Sequence, residues 1–270
     1  MARGRDDRRG LLRRRRRAAR PPGERWPAGR TVSWLAGLLL LVALTNGGVG
    51  AYARHLFSAE MMTVGGVAVL VPLLLVPGAP LRLLAQAAEP RTDGSRGVRE
   101  WVALAGAAVR PLARWTTGAV VGVLAAWVFV FTPVLRWIVT DAAGREAGIA
   151  LLLATGLVLV SAVLNARPGR RSAVTAALPA LAWAACGVVL VAGSGLLLAD
   201  WYGAMGWSTP AIDDQRAGGA VLLGTAAVPL AVLAIVQLVR PRDRGASPTR
   251  PVDEDRYRAM LDRALTRRGR

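Results

Sequence analysis

The sequence predicts an all-α protein, a polytopic transmembrane helical bundle of about six helices with both termini in the cytoplasm. Two observations predict it. Six stretches contain no Asp, Glu, Arg or His, and each is long enough to cross a bilayer, which takes roughly 20 helical residues. The arginines are concentrated in every second segment between those stretches, as expected because cytoplasmic loops retain an excess of positive charge.

The predicted spans cover residues 31–53, 61–81, 115–135, 147–166, 172–199 and 217–239. Each is expected to be helical because backbone N–H and C=O groups in lipid must be satisfied within the segment. The fifth stretch is longer than a bilayer requires, so one of its ends should lie in the interface or the helix should tilt. A seventh apolar piece, residues 101–109, is too short to span and is interpreted as an interfacial or cytoplasmic helix.

The distribution of charge predicts the orientation. All 35 basic residues are arginines, and if the N-terminus is cytoplasmic, 31 of them lie inside and 4 outside. The four outer arginines are Arg54, Arg136, Arg145 and Arg216. The chain is therefore predicted to be a multi-pass protein of a bacterial inner membrane. It divides into an Arg-rich cytoplasmic tail (1–30), a six-helix membrane domain (31–240) and a basic cytoplasmic C-terminal tail (241–270).

The polar residues exclude several classes of function. One cysteine, Cys186, and one histidine, His55, rule out an internal disulfide framework and a site built from several histidines of one chain. No ionisable residue lies deep in a predicted span, which argues against a proton-coupled pump. No nucleophile–base pair or phosphate-binding loop is visible, so an enzyme is not expected. The run from Arg13 to Arg17 is interpreted as a topology anchor rather than a site for nucleic acid or anionic lipid. The lipid bilayer is thus an expected partner and nucleic acid is not.

Small residues should determine the helix packing, because lipid gives no hydrophobic drive for helices to associate. Gly118 and Gly122 form a G-x-x-x-G pair, and the pairs Gly65-Gly66 and Gly218-Gly219 are further candidates. Four prolines fall within the spans, and each is expected to free a backbone carbonyl and allow a kink. They are Pro72, Pro133, Pro179 and Pro229.

Two parts of the sequence resemble a known family. Ser58–Val64 (SAEMMTV) and the run from Pro72 to Leu81, with Gly78 and Pro80, correspond without a gap to a Ser-x-His-Met-x-Gln-His lead-in and a Pro-x-Leu-Leu-x-x-Gly-Ala-Pro ending. The segment 213–219 (DDQRAGG) corresponds to an Asp-Asp-Gln-x-x-Gly-Gly helix, whose residues here are Asp213, Asp214, Gln215, Gly218 and Gly219. Over residues 31–260 the chain resembles the CtaG-type cytochrome c oxidase assembly factors.

The resemblance implies a non-catalytic membrane accessory factor that binds respiratory oxidase subunits, but the sequence departs from the family in two respects. The family usually has seven membrane helices, and its first helix has no counterpart here. The family's metal-ligand histidines fall on Glu60 and Val64, and its other histidines have no counterpart near Phe131 or along residues 145–151. Two histidines four residues apart would share one helix face and hold copper. Glu60 and Val64 would not hold copper, so the copper chemistry of the family does not carry over to these positions.

A Cu(I) site on the outer side is a separate hypothesis. His55, Met61, Met62 and Met205 are predicted to lie on that side together with Glu60, and imidazole and thioether groups suit Cu(I). The competing interpretation is that the methionines fill gaps in the helix packing and that His55 is a solvated loop residue.

Carboxylates at the outer helix ends are expected to make exposed contacts. Asp213 and Asp214 should precede the sixth helix and cap its N-terminus, where negative charge is favourable. Glu60 and Glu146 should form interfacial ion pairs, each worth under about 1 kcal/mol. Their candidate partners are Arg54, Arg136 and Arg145.

Three functions remain open from the sequence. The first is an assembly or accessory factor for a respiratory oxidase. The second is a Cu(I) carrier or copper-resistance protein that uses the outer methionines and histidine. The third is a degenerate paralogue retained as a structural membrane protein.

Overall fold

A computed structural model describes residues 28–78, 114–206 and 210–240 of the chain. These residues form helices and no strand, which confirms the predicted all-α class. The helices are α1 (Ala28–Thr45), α2 (Gly48–Tyr52), α3 (Phe57–Gly78), α4 (Trp115–Phe131), α5 (Pro133–Thr140), α6 (Ala142–Asn165), α7 (Arg170–Ala192), α8 (Ala199–Tyr202) and α9 (Ala211–Val239). Pro80, the apolar piece 101–109, almost all of the predicted N-terminal tail and all of the C-terminal tail lie outside the described residues.

Five of the described helical segments are long and apolar enough to cross a membrane, and there are six if α4 and α5 count as one bent span. The first of the five joins α1 and α2 (Ala28–Tyr52). Helices α3, α6 and α9 begin before the predicted spans do, at Phe57, Ala142 and Ala211. The predicted spans excluded these first turns because they contain charged residues, several of which contact the bundle. The fifth span ends earlier than predicted, at Ala192, where Gly193 adopts an extended conformation.

The predicted end of the third span, residues 115–135, is wrong. Helix α4 ends at Phe131, and α5 leaves it at an angle of 64°. The cause lies in the Thr132-Pro133 pair: a residue before proline is disfavoured in the α region, and Thr132 is extended. The Thr132 hydroxyl oxygen accepts from the N–H of Val134 at 3.3 Å, so it caps the new helix.

The predicted G-x-x-x-G pair lies at a helix contact. A Cβ on Gly118 would lie 2.5 Å from the Cβ of Ala162 in α6, and a Cβ on Gly122 would lie 2.7 Å from the ring of Pro179 in α7. Real Cβ atoms do not approach neighbours this closely. Glycine therefore allows α4 to pack into the groove between α6 and α7.

Two further contacts involve glycines that the sequence analysis did not name, Gly156 and Gly187. Gly156 of α6 faces the carbonyl oxygen of Ala68 in α3, and a Cβ there would overlap that oxygen. Gly187 of α7 and Gly219 of α9 face each other, and a Cβ on either would lie 2.9 or 2.7 Å from the partner's carbonyl oxygen. These glycines bring backbone against backbone at the centre of the bundle.

Two of the prolines follow wide helical turns. Gly66–Leu70 in α3 and Leu223–Ala227 in α9 are π-helical, and each precedes a Val-Pro pair. A proline ring clashes with the carbonyl four residues earlier, and a wider turn relieves this clash. The two π segments pack against each other. The expected proline effect therefore occurs in α3 and α9 as a widened turn.

The segments that connect α2 to α3, α4 to α6 and α7 to α9 meet at one end of the bundle. Hydrogen bonds and ion pairs join them across long sequence separations. We refer to this end, residues 50–60, 132–146, 193–206 and 210–216, as the outer end, following the side that the arginine distribution predicts.

Candidate functional site

A buried ion pair joins two long helices at the outer end. Nη1 of Arg145 in α6 lies 3.2 Å from Oε2 of Glu60 in α3, and the two side chains are 6% and 1% exposed. Nη2 of Arg145 also donates to the carbonyl oxygen of Gly50 at 3.4 Å. The sequence predicted Arg145 as one possible partner of Glu60, but the expected exposed position was wrong. Both residues lie in the first turns of their helices and point into the bundle.

The burial of the Glu60–Arg145 pair changes its contribution to stability. Exposed pairs contribute about 0–1 kcal/mol, whereas removing one partner of a buried pair costs about 3–5 kcal/mol because an uncompensated charge remains. A buried pair is not a strong net source of stability, since both charges lose their hydration. Its clearest effect is geometric: it fixes α3, α6 and the α2 backbone in one relative arrangement.

Asp214 caps a different helix from the one predicted. Its Oδ2 accepts from the N–H of Phe57 at 2.6 Å and its Oδ1 from the hydroxyl of Ser58 at 2.5 Å, at the start of α3. Helix α9 instead begins after Pro210 and has no side-chain cap. The expectation that Asp214 caps its own helix is therefore wrong, since α9 starts earlier than predicted and places Asp214 in its first turns. The carboxylate at the positive end of α3 joins α9 to α3.

Asp213 and Gln215, on either side of Asp214, have different roles. Asp213 is exposed and pairs with Arg216 of its own helix at 3.0 Å, so it does not cap α9 either. Gln215 is buried, and its amide binds a loop in two places. Its Oε1 accepts from the N–H of Leu197 at 2.7 Å, and its Nε2 donates to the carbonyl of Gly195 at 2.9 Å. Gln215 therefore holds the loop between α7 and α8 against α9.

This loop ends in a strained residue. Leu198 has φ 49° and ψ 51°, the left-handed conformation, which costs a residue with a Cβ about 1–2 kcal/mol. Such conformations persist where the surrounding structure over-determines them. Here Gln215 fixes the backbone before Leu198. After it, Asp200 pairs with Arg136 at 2.7 Å and Trp201 donates to the carbonyl of Arg54 at 2.9 Å.

The glycines of the recognised segments lie at close contacts. A Cβ on Gly218 would lie 2.7 Å from the ring of Phe57 and 3.2 Å from Cγ of Met61. A Cβ on Gly78 would lie 2.7 Å from Cβ of Trp34 in α1. Together with Gly219, these residues act in helix packing. Pro80 lies outside the described residues.

The sequence profile of one protein family, the cytochrome c oxidase caa3 assembly factors (Caa3_CtaG), matches residues 9–243 of this chain. The chain belongs to this family. The resemblance that the sequence suggested is thereby confirmed, and the match covers all of the described helices.

The chain is similar to three mycobacterial proteins, each of which is named an uncharacterized protein. The Mycobacterium leprae protein is 27% identical over 92% of this chain, and the Mycobacterium bovis and Mycobacterium tuberculosis proteins are each 29% identical over 93%. This chain spans 41% of the length of each. No solved structure matches the chain.

In this Caa3_CtaG protein, the residues at the two positions where the sequence resemblance implies metal-ligand histidines do not fit copper. Val64 is fully buried and offers no ligand atom. Glu60 is engaged by Arg145, whose guanidinium supplies the positive charge next to the carboxylate. In the described residues, no group of three or more His, Cys, Asp or Glu side chains is placed to hold a metal ion. In addition, a soft ion such as Cu(I) binds a lone carboxylate weakly.

The four residues of the outer Cu(I) hypothesis occupy different environments. Met61 is fully buried and packs against Gly218, and Met62 is partly buried beside the core. His55 is exposed and lines a cavity of about 230 Å³ at the starts of α3 and α9. Gly203 and Gly206, which flank Met205, line the same cavity. Thus His55 lies near the segment of Met205, whereas Met61 points into the bundle.

The sequence analysis gave no role to Tyr202, although this residue lies between the key carboxylates. Its ring packs edge-on against Phe57 at 5.3 Å, and its buried hydroxyl has no hydrogen-bond partner among the described residues. Burial, with the charges of Glu60 and Asp214, raises the pKa of Tyr202 above its ordinary value. The hydroxyl therefore stays protonated. The available signal in the sequence was its place in the connection between the fifth and sixth predicted spans.

Proposed function

We propose that this protein is a non-catalytic factor, integral to the bacterial inner membrane, that binds respiratory oxidase subunits at its outer end during oxidase assembly. The family supports a role in cytochrome c oxidase assembly. The single observation that carries the finer proposal is the Glu60–Arg145 pair. Glu60 stands at a position where the resemblance implies a metal-ligand histidine, and its charge is neutralised by Arg145. This favours a binding scaffold over a copper carrier.

The polar links of the outer end support the same proposal. Asp214, Gln215 and the ion pair each connect different helices, so the loops between them have a fixed arrangement. A surface that is already ordered loses less entropy when a partner binds. Loops positioned by a rigid scaffold commonly carry binding functions.

The decisive experiment combines a deletion strain with an affinity-tagged chain. We expect the deletion to reduce the oxidase haem absorbance of membranes, and the tagged protein to co-purify oxidase subunits identified by mass spectrometry. Complementation with the native chain should restore the spectrum. A normal oxidase spectrum in the deletion strain would instead favour the third function, a structural paralogue. Tags at both termini, each tested for accessibility in spheroplasts, should report from the cytoplasm.

A second candidate, outer Cu(I) handling, is supported by one observation: His55 and the segment of Met205 border the same cavity. The test is a Cu(I) titration of the purified protein beside a variant that combines His55→Ala with Met205→Leu. Stoichiometric binding that the variant loses would support this function. Equal Cu(I) binding by the native chain and the variant would contradict this function. Copper sensitivity of the deletion strain with a normal oxidase spectrum would also separate it from the first function.

A further inference from the structure

An apolar slot opens at the outer end where α4 breaks into α5. The slot has a volume of about 270 Å³ and lies between the helix break and the loop before α8. Its lining residues are Val130, Phe131, Thr132, Pro133, Leu135, Arg136, Leu197 and Leu198. The break at Pro133 forms one wall, and the loop held by Gln215 forms the other. We propose that this slot receives an apolar side chain of an oxidase subunit's outer segment, which also carries basic residues; this inference rests on the proposed function.

The strained residue supports a binding role for the slot. Leu198, with its left-handed backbone, contributes a lining side chain, and the loop before it is fixed by two hydrogen bonds from one amide. Left-handed non-glycine residues cluster at ligand clamps and functional sites. A glycine would satisfy the same backbone without strain. The chain instead has a leucine that closes one side of an apolar opening.

The charges around the slot select the partner. Arg136 at its rim is neutralised by Asp200 at 2.7 Å. Helix α5 has 8 residues and is about 12 Å long, and its first residue, Pro133, lines the slot. At its far end lie Asp141 and, within the first turns of α6, Glu146, both exposed. The charged pair at the rim is thus neutral, and the two exposed charged side chains at the far end of α5 are both carboxylates.

This charge pattern favours a basic protein segment over a phospholipid. An anionic lipid headgroup would find Arg136 already paired and would be repelled by the carboxylates at the far end of α5. An extended segment that places a basic residue about 12 Å from its apolar anchor, roughly three to four residues along, would meet both the slot and the acidic end of α5. Electrostatic complementarity of this kind fixes register and speeds association.

The first test places a photo-crosslinking amino acid at Leu197 of the full chain in native membranes. The matched control position is Leu181 in α7, which is 67% exposed on the side of the bundle. We expect adducts with an oxidase subunit, identified by mass spectrometry, from position 197 and not from 181. Lipid adducts alone at both positions would overturn the inference.

The second test compares two pairs of matched variants. Leu197→Trp fills the slot without changing the backbone N–H that binds Gln215, and Leu181→Trp is its control. Asp200→Asn removes a rim carboxylate, and Asp213→Asn removes a carboxylate elsewhere that is similarly exposed and also paired with an arginine. We expect the slot variants to weaken capture of oxidase subunits by about tenfold or more, as for the central pocket of an interface. The controls should capture them as the native chain does.

The outcomes separate the two proposals. If the native chain captures oxidase subunits and the two slot variants capture them equally well, the slot inference is wrong and the assembly role stands. If the native chain captures none and the deletion strain has a normal oxidase spectrum, both are wrong. Circular dichroism and thermal unfolding of the Leu197→Trp variant should match the native chain. If that variant fails to fold, the Asp200→Asn result decides.

Discussion

Replacing Glu60 by glutamine would leave the guanidinium of Arg145 buried without a carboxylate to neutralise it, because the glutamine oxygen and the carbonyl of Gly50, at 3.4 Å, are both uncharged acceptors. The pair is 1% and 6% exposed, so water does not replace the lost carboxylate. Breaking a buried pair in this way costs about 3–5 kcal/mol. We therefore expect Glu60→Gln to lower the free energy of unfolding by that amount, and Arg145→Met by a similar amount through the unpaired carboxylate.

The double variant Glu60→Leu with Arg145→Met should recover most of this loss. Apolar side chains of similar volume remove both desolvation costs together, and such replacements are often neutral or stabilising by about 1–4 kcal/mol. The measurement is a double-mutant cycle of unfolding free energies in detergent micelles, with Glu60→Leu and Arg145→Met as its single variants. The coupling energy should be several kcal/mol and should change little with salt, because the buried pair is poorly screened.

A matched control is available in the same outer end. Asp213 and Arg216 form an exposed pair at 3.0 Å, with side chains 53% and 49% exposed. The same cycle on this pair should give a coupling of about 0.2–1 kcal/mol that falls as salt rises. Equal couplings for the two pairs, or a Glu60→Gln variant as stable as the native chain, would refute the argument that burial determines the effect.

Three other changes test the remaining contacts. Asp214→Ala should lower the unfolding free energy by about 0.5–2 kcal/mol through loss of the α3 cap, whereas Asp213→Ala should change it by less than about 0.5 kcal/mol, both measured in the same micelles. Gly156→Leu should abolish the folded, monodisperse protein on size-exclusion chromatography, because its side chain would overlap the backbone of α3. Tyr202→Phe should leave stability unchanged or raise it by about 1–3 kcal/mol, since it removes a buried hydroxyl without a partner. A marked loss of stability in Tyr202→Phe would show that this hydroxyl is bonded.

The fold could be predicted largely because its signals are local. The absence of charge over about 20 residues identifies a span without reference to any other helix. The third span shows where this fails: residues 115–135 are uniformly apolar, yet the Thr132-Pro133 pair bends the chain by 64°. The sequence predicted that Pro133 would permit a kink. The size and direction of the bend depend on the packing of α5 against α6.

The candidate site was predicted in part. The sequence identified Asp214 and Gln215 as members of a recognised segment, and it named Arg145 among three possible partners of Glu60. It placed the carboxylates and the arginine partner of Glu60 in exposed positions, because a charged residue next to an apolar stretch is most often interfacial. Helices α3, α6 and α9 each extend one turn or more beyond that limit, which turns the side chains inward.

The sequence by itself determined that this is a helical protein with apolar spans and a strong charge asymmetry, since hydropathy and arginine position act along the chain. It also carried the family assignment. Only the tertiary structure decided that Glu60 meets Arg145, that Asp214 caps α3 and that Gln215 holds the loop before Leu198. These contacts join residues 18 to 157 positions apart. Which carboxylate is buried and which is exposed depends on how closely the helices approach one another. Glycines at the contacts between helices determine that approach, and such contacts are not visible within any one segment of the sequence.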